Sequence, residues 1–229
     1  MILTSNIWPV LAFSYLLFLL TSFIAWKKGV ITLSNNSRLI NPLSRINMKN
    51  ISGIILLGLP LMIYPSEWIH LLARPASGIP VQGITGSLLV SVTCFISIIS
   101  AFRKKRSGRL PEKNRPHPGF PAAAGYLLIR SSFLIVYECF FRGLLLFTCV
   151  DGCGVACAIV INLILYTLLH AFGNRMEMLA CFPFGIILCS ITLWWQSILP
   201  AIILHLVLAL VHEIYLLHHQ ILSPKIIKP

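Results

Sequence analysis

The sequence predicts an all-α polytopic membrane protein with about seven transmembrane helices. Hydrophobic residues make up 57% of the 229 residues and charged residues only 10%, and the mean hydropathy is +0.87. Because soluble domains carry about 25% charged residues, a water-soluble fold is not expected. The high apolar content also argues against a disordered chain.

The predicted helices are apolar segments close to the length that crosses the ~30 Å hydrocarbon core of a bilayer. The first has no basic region ahead of it and no A-x-A-like cleavage site after it, so we expect a retained helix and not a signal peptide. The second is interrupted by Pro60, Pro65 and Glu67, which predicts a tilted, kinked or partly interfacial segment. The seven predicted spans are residues 7–26, 51–73, 84–102, 122–149, 153–173, 178–196 and 198–217.

The basic residues predict the orientation in the membrane, because cytoplasmic loops carry an excess of Lys and Arg. If seven spans alternate in direction, one face of the membrane holds most of the basic residues: those of loops 27–50 and 103–121, Arg175 and those of the tail. In the loops on the opposite face, Arg74 is the one basic residue. We therefore expect the N-terminus outside and the C-terminus in the cytoplasm. The net charge of +12 is then explained by orientation and anionic lipid head groups, without a nucleic-acid partner.

A basic, proline-rich stretch divides the chain into two parts. Residues 103–121 contain four prolines among many charged residues, which forbids a continuous helix. We expect about three N-terminal membrane spans and a basic loop in residues 1–110, and a cytoplasmic linker in residues 111–121. Residues 122–217 are predicted to form the core, and residues 218–229 a cytoplasmic tail. The two parts differ in span number and polar content, so they do not form the internal repeat of a transporter.

Ionisable residues inside the predicted spans mark a candidate functional site, because each costs about 2.5 kcal/mol or more in hydrocarbon. Arg130, Glu138 and Arg142 are spaced by multiples of four and share one helical face, so Glu138 is expected to pair with Arg142. Tyr137 precedes the glutamate, about 100° round the helix. Two interpretations stay open: a structural ion pair, or a carboxylate that is tuned by the guanidinium and activates a water.

Two histidines lie in other spans. His170 ends the fifth span, where a lone histidine can also be structural or interfacial. His205 lies in the seventh span with few polar neighbours in sequence, so its partners are expected on other helices. A polar cluster nearer the cytoplasmic end of that span is interpreted as an interfacial cap. Its members are His212, Glu213, His218 and His219.

The sequence contains no metal-binding motif. His212 and Glu213 begin like H-E-x-x-H, but position 216 is leucine. By ligand type alone, His170, His205 and Glu138 could bind zinc, since two histidines and a carboxylate are an allowed set. The spacing gives no positive sign of such a site, and no cofactor is predicted. The chain also has no G-x-S-x-G motif and no Gly-rich phosphate loop.

Residues 122–217 resemble the CPBP family, also called ABI, of type II CAAX prenyl endopeptidases and bacteriocin-processing or bacteriocin-immunity proteins. Its motifs are E-E-x-x-x-R, F-x-x-x-H and H-x-x-x-N or D. Their counterparts here, in the same order, are E-C-F-F-R-G at 138–143, Y-T-L-L-H at 166–170, and S-I-L-P-A-I-I-L-H at 197–205. The chain departs from the pattern at Tyr137, where the family has its first glutamate, at Tyr166, where it has phenylalanine, and at Ala209, where it has asparagine.

The resemblance implies an all-helical intramembrane endopeptidase in which Glu138 and His170 activate a water and His205 stabilises the oxyanion. Arg142 would orient Glu138. The implied partners are the bilayer and a membrane-embedded or membrane-anchored peptide, and the implied location is the bacterial cytoplasmic membrane. Two alternatives remain open. One is a catalytically inactive binding or immunity protein, which Tyr137 and Ala209 favour, and the other is a transporter.

Overall fold

The computed structural model describes residues 7–30, 43–73, 85–86, 88–97, 99, 119–173 and 175–222. Every regular element within these ranges is helical, which confirms the predicted all-α class. In the described residues, four helices are long and apolar enough to cross a membrane. They are Ile7–Lys27, Leu43–Ile63, Phe120–His170 and Met178–Trp195, and the shorter apolar helices are Leu88–Ser97 and Leu199–Tyr215. The number of seven spans stays a prediction.

The N-terminal helices differ from the predicted spans after the first. Helix α1 (Ile7–Lys27) agrees with the span predicted at 7–26. The span predicted at 51–73 is wrong in its bounds, because α2 (Leu43–Ile63) begins eight residues earlier, contains Pro60 and ends before a 3₁₀ turn at Pro65–Glu67. Pro65 has no N–H to continue the helical hydrogen bonds. Helix α3 (Ile69–Ala73) follows, and α4 (Leu88–Ser97) lies within the span predicted at 84–102.

The C-terminal helices follow the prediction more closely. The predicted linker lies outside the described residues up to 118, and α5 (Phe120–Glu138) then leads into a π-helical segment, Cys139–Leu145. Helices α6 (Leu146–His170) and α7 (Arg175–Trp195) complete the middle of the core. Helix α8 (Leu199–Leu222) continues past residue 217, so the first residues of the predicted tail, 218–222, are helical, and its cytoplasmic location stays a prediction.

The chain reverses direction at Gly154, within α6. This residue has φ 80° and ψ 167°, a left-handed backbone conformation that glycine adopts without strain. Asn162 Nδ2 donates a hydrogen bond to Phe141 O at 2.6 Å. In a straight helix these residues, 21 positions apart, would be separated by about 32 Å. Residues 155–170 therefore run back alongside the end of α5 and the π segment, as the separate spans predicted at 122–149 and 153–173 require.

Packing leaves much of each long helix uncovered. Helix α2 packs against α1 and α5, α8 packs against α5 and α7, and α6 packs against α7. Large apolar side chains such as Phe13, Leu16 and Leu128 are exposed at the outside of the bundle. In water such a surface would drive aggregation, whereas lipid tails solvate it. The chain thus has the apolar exterior of an integral membrane protein, and among its buried polar residues Glu138 ends α5, Asn162 lies in α6 and His205 lies in α8.

Candidate active site

The centre of the candidate site is a contact between Glu138 and His205. Glu138 ends α5 and is completely buried, and His205 lies one and a half turns into α8. Glu138 Oε1 is 2.5 Å from His205 Nδ1, although the residues are 67 positions apart. A carboxylate oxygen accepts, so Nδ1 carries the proton and Nε2 of the neutral ring remains an acceptor. The expectation that the partner of His205 comes from another helix is confirmed.

Arg142 is the second partner of Glu138, as their spacing predicted. Its Nε lies 3.4 Å from Glu138 Oε2, and both side chains are completely buried. The guanidinium carbon also lies 4.3 Å from the centroid of the Tyr166 ring, which is within cation–π range. The carboxylate therefore lies between a guanidinium on one oxygen and an imidazole on the other.

The π-helical segment carries Arg142 and creates a hydrogen-bonding position that the sequence did not reveal. Leu146 N and Asn162 Nδ2 both donate to Phe141 O, which lies in the middle of the segment. Asn162 is itself completely buried, and Cys189 Sγ lies 3.4 Å from its Oδ1. Short π segments are frequent at functional sites. The one signal in the sequence was an amide inside an apolar run, eight residues before the histidine of the second motif.

His170 lies at the end of α6, beside the same cluster. Its Nδ1 is 2.9 Å from Tyr166 O, and since a carbonyl oxygen only accepts, Nδ1 carries the proton here too. Its ring centroid is 4.7 Å from that of Tyr166, and the His205 centroid is 6.3 Å from the same ring. Gly185 of α7 faces the neighbouring turn of α6, where a Cβ would lie 2.8 Å from Leu163 Cδ1 and 3.4 Å from Tyr166 Cδ1. The His170 side chain is partly exposed, unlike that of Glu138.

Tyr137 lies in contact range of both histidine rings. Its centroid is 6.3 Å from that of His170 and 6.0 Å from that of His205, both nearly perpendicular. The Tyr137 ring also packs on Phe141 at 4.6 Å and on Phe133 at 5.5 Å. Its hydroxyl oxygen is buried and has no hydrogen-bond partner among the described residues. The residue that departs from the family motif is thus inside the site.

Arg130, expected to support Glu138, belongs to a different cluster. Its Nε lies 3.1 Å from Glu213 Oε1, and Tyr126 donates its hydroxyl hydrogen to Glu213 Oε2 at 2.9 Å. The interpretation of Glu213 as part of an interfacial cap is wrong, because its side chain is buried and ion-paired between α5 and α8. The helical spacing placed Arg130 on the same face of the helix as Glu138. Packing of α8 against α5 brings the carboxylate of Glu213 closer to Arg130.

Two further expectations concern donors and metals. Ala209, one turn after His205, packs against the hydrophobic core and presents no side-chain donor.

In the part of the chain that the structure describes, no three His, Cys, Asp or Glu side chains are grouped so that they could hold a metal ion. Glu138 and His205 are in contact, but His170 does not join them as a third ligand within that part.

Comparison with known proteins gives one family match for the part of the chain that contains the site. The family model described as "Type II CAAX prenyl endopeptidase Rce1-like" matches residues 122–211. The match confirms the resemblance of this part of the chain to the CPBP family and contains Glu138, His170 and His205. No curated protein and no solved structure matches the chain.

Proposed function

Starting from a C-terminal part that matches the type II CAAX prenyl endopeptidases, we propose that this protein is an intramembrane endopeptidase. It hydrolyses a peptide bond of a membrane-embedded or membrane-anchored peptide with an activated water. The observation that carries the proposal is the buried contact of Glu138 Oε1 with His205 Nδ1 at 2.5 Å, flanked by Arg142. A carboxylate that holds an imidazole in one tautomer is the arrangement of a general base.

In the proposed reaction, His205 Nε2 takes a proton from water while Nδ1–H stays bonded to Glu138. The hydroxide oxygen attacks the peptide carbonyl carbon, and the π electron pair moves to the carbonyl oxygen. When the carbonyl re-forms, the C–N bond breaks and the leaving nitrogen takes the proton from the imidazolium. Glu138 stabilises the imidazolium throughout, and its negative charge is kept in place by Arg142.

These roles differ in one respect from those implied by the resemblance, which pairs Glu138 with His170 and gives His205 to the oxyanion. The direct contact with His205 supports the revised pairing. Glu138 is completely buried whereas His205 is 6% exposed, so the end of the pair nearer to a substrate is the imidazole. We assign His170 the task of holding the water through Nε2, because its Nδ1–H is committed to Tyr166 O.

The proposed substrate reaches the site from the end of α6. His170 is partly exposed there, and Ala171 beside it is exposed. An extended peptide anchored in the bilayer can lie along α5, α6 and α8, whose outer faces carry apolar side chains. We further propose seven spans, an N-terminus outside, and a bacterial cytoplasmic membrane, where leader sequences and lipid-anchored peptides are the substrates available.

The experiment compares the termini of membrane peptides in host cells that carry the native chain, Glu138→Gln, Glu213→Gln, or no copy. Glu213→Gln is the matched control, because it neutralises another buried, ion-paired glutamate outside the site. We expect a terminus that appears with the native chain and Glu213→Gln and is absent with Glu138→Gln. Equal amounts of all three proteins in the membrane are verified by immunoblot. A terminus that persists in Glu138→Gln would contradict the mechanism.

A second function, peptide binding without hydrolysis, is favoured by two residues of the site. Tyr137 replaces a carboxylate beside both imidazoles, and Ala209 replaces an amide donor. Such a protein would protect its host or hold a peptide at the same site. It predicts identical termini in all four strains, and retention of its protective or binding activity in Glu138→Gln.

A further inference from the structure

The hydroxyl of Tyr137 is the one part of that side chain that packing does not explain. The ring is in contact with Phe133, Phe141 and Tyr166, and a phenylalanine would make the same ring contacts. The hydroxyl oxygen is buried and has no hydrogen-bond partner among the described residues. A buried polar atom without a partner destabilises the folded state. Its presence therefore points to a partner that arrives with the substrate.

The ring that carries this hydroxyl lies beside the groups of the proposed reaction. Both imidazoles meet the Tyr137 ring, at centroid distances of 6.3 Å for His170 and 6.0 Å for His205. Glu138, the next residue, binds His205 directly. In the proposed reaction the attacking water lies between the two imidazoles. The peptide carbonyl that it attacks is then beside the Tyr137 ring, which carries the hydroxyl.

Neither imidazole of the cluster offers a donor to this carbonyl. Both imidazoles commit their Nδ1 protons, one to Glu138 and the other to a backbone carbonyl, and present Nε2 as an acceptor. The guanidinium nitrogens of Arg142 also have no hydrogen-bond partner among the described residues, but Nε is paired with Glu138 at 3.4 Å and the group lies over the face of Tyr166. Ala209 has no polar atom in its side chain. The developing oxyanion still needs a hydrogen-bond donor, and tyrosine hydroxyls serve in that role.

We propose that Tyr137 Oη–H donates a hydrogen bond to the carbonyl oxygen of the scissile peptide bond, and so acts as the oxyanion donor of this enzyme. This inference rests on the proposed endopeptidase function. As hydroxide attacks, the carbonyl π pair moves to oxygen and the Tyr137 hydrogen bond strengthens. Tyr137 keeps its proton, and the pair returns when the C–N bond breaks. Tyr137, in the first motif, then supplies a hydrogen-bond donor at the site. This donor replaces the one that is missing at Ala209.

The test is Tyr137→Phe, which removes one oxygen atom and keeps the ring contacts. We expect kcat to fall about 10²–10³-fold, the loss typical of one oxyanion donor, with KM unchanged. The folded protein should be as resistant to unfolding as the native chain or more so, because an unpartnered buried hydroxyl is removed. Rates are measured with the full chain in proteoliposomes, on a synthetic peptide that spans the native-dependent terminus found in cells.

Tyr126→Phe is the matched control. Its hydroxyl is also buried, but it donates to Glu213 at 2.9 Å, away from the site. This variant should show the opposite pattern, with lower resistance to unfolding and an unchanged kcat. If Tyr137 had a purely structural role, Tyr137→Phe would leave kcat unchanged, as Tyr126→Phe does.

The outcomes separate this inference from the proposed function. If Tyr137→Phe keeps the native kcat while Glu138→Gln is inactive, the oxyanion role is overturned and the endopeptidase stands. If the native chain creates no peptide terminus in cells, both proposals are overturned. A loss of kcat with unchanged KM and unchanged resistance to unfolding supports the oxyanion role.

Discussion

Arg142→Met is expected to destabilise the folded protein by about 3–5 kcal/mol, the usual cost of removing one partner from a buried ion pair. The guanidinium is completely buried, with its Nε 3.4 Å from Glu138 Oε2. Methionine has a similar length but no charge, so the carboxylate is left with His205 as its one polar partner among the described residues. The loss of the contact with the Tyr166 ring, at 4.3 Å, adds to the cost by about 1–2 kcal/mol.

The assay is reversible unfolding of the purified chain in mixed detergent and SDS micelles, followed by circular dichroism. Glu138→Gln and the double variant complete a double-mutant cycle. Because the double variant leaves no unpaired buried charge, it should be less destabilised than the sum of the single variants. The expected coupling energy between Arg142 and Glu138 is about 2–3 kcal/mol.

Arg130→Met is the control for this prediction. It removes the same group from α5, which leads into the segment that carries Arg142, but the side chain of Arg130 is 17% exposed and Tyr126 still donates to Glu213 after the change. We expect a smaller loss than for Arg142→Met. Equal losses in the two variants, or additive effects of Arg142→Met and Glu138→Gln, would refute the reasoning that burial makes this pair costly to break.

Two further predictions concern Asn162 and the turn at Gly154. Asn162→Leu removes the 2.6 Å hydrogen bond to Phe141 O, and we expect a loss of about 0.5–1.5 kcal/mol in the unfolding assay together with slower cleavage. An unchanged stability and rate would contradict a positioning role for this amide. On intact cells, a membrane-impermeant maleimide should modify the exposed Cys153 and Cys157 and spare the buried Cys149, if the turn faces outward as proposed. Labelling that requires permeabilised cells would reverse the orientation, and a chain with both exposed cysteines replaced by serine is the control.

Local geometry explains what the sequence revealed about the site. Glu138 and Arg142 are four residues apart, so any helical winding brings them to one face, and their pairing was predictable. The same rule placed Arg130 on that face. It could not foresee that Glu213 on α8 lies closer to Arg130 than Glu138 does. A charged side chain pairs with the nearest opposite charge. The spacing of residues along the sequence does not give the distance between side chains on different helices.

Other parts of the site depended on irregular backbone. The π segment at Cys139–Leu145 and the break at Gly154 interrupt the 3.6-residue period from which helix positions are inferred. Asn162 reaches Phe141 because of both irregularities. Its amide was therefore not among the predicted site residues, although it lies in line with Tyr166 and His170 at intervals of four.

The sequence by itself determined the class of the protein, because apolar content and segment length decide whether a chain dissolves in water or in lipid. It also determined which polar residues are candidates, since an ionisable group in an apolar span is costly wherever the span lies. The tertiary structure alone decided which candidates meet: Glu138 with His205, Arg130 with Glu213, and Tyr137 beside both imidazoles. Such contacts join residues far apart in the chain, and the packing of whole helices sets them.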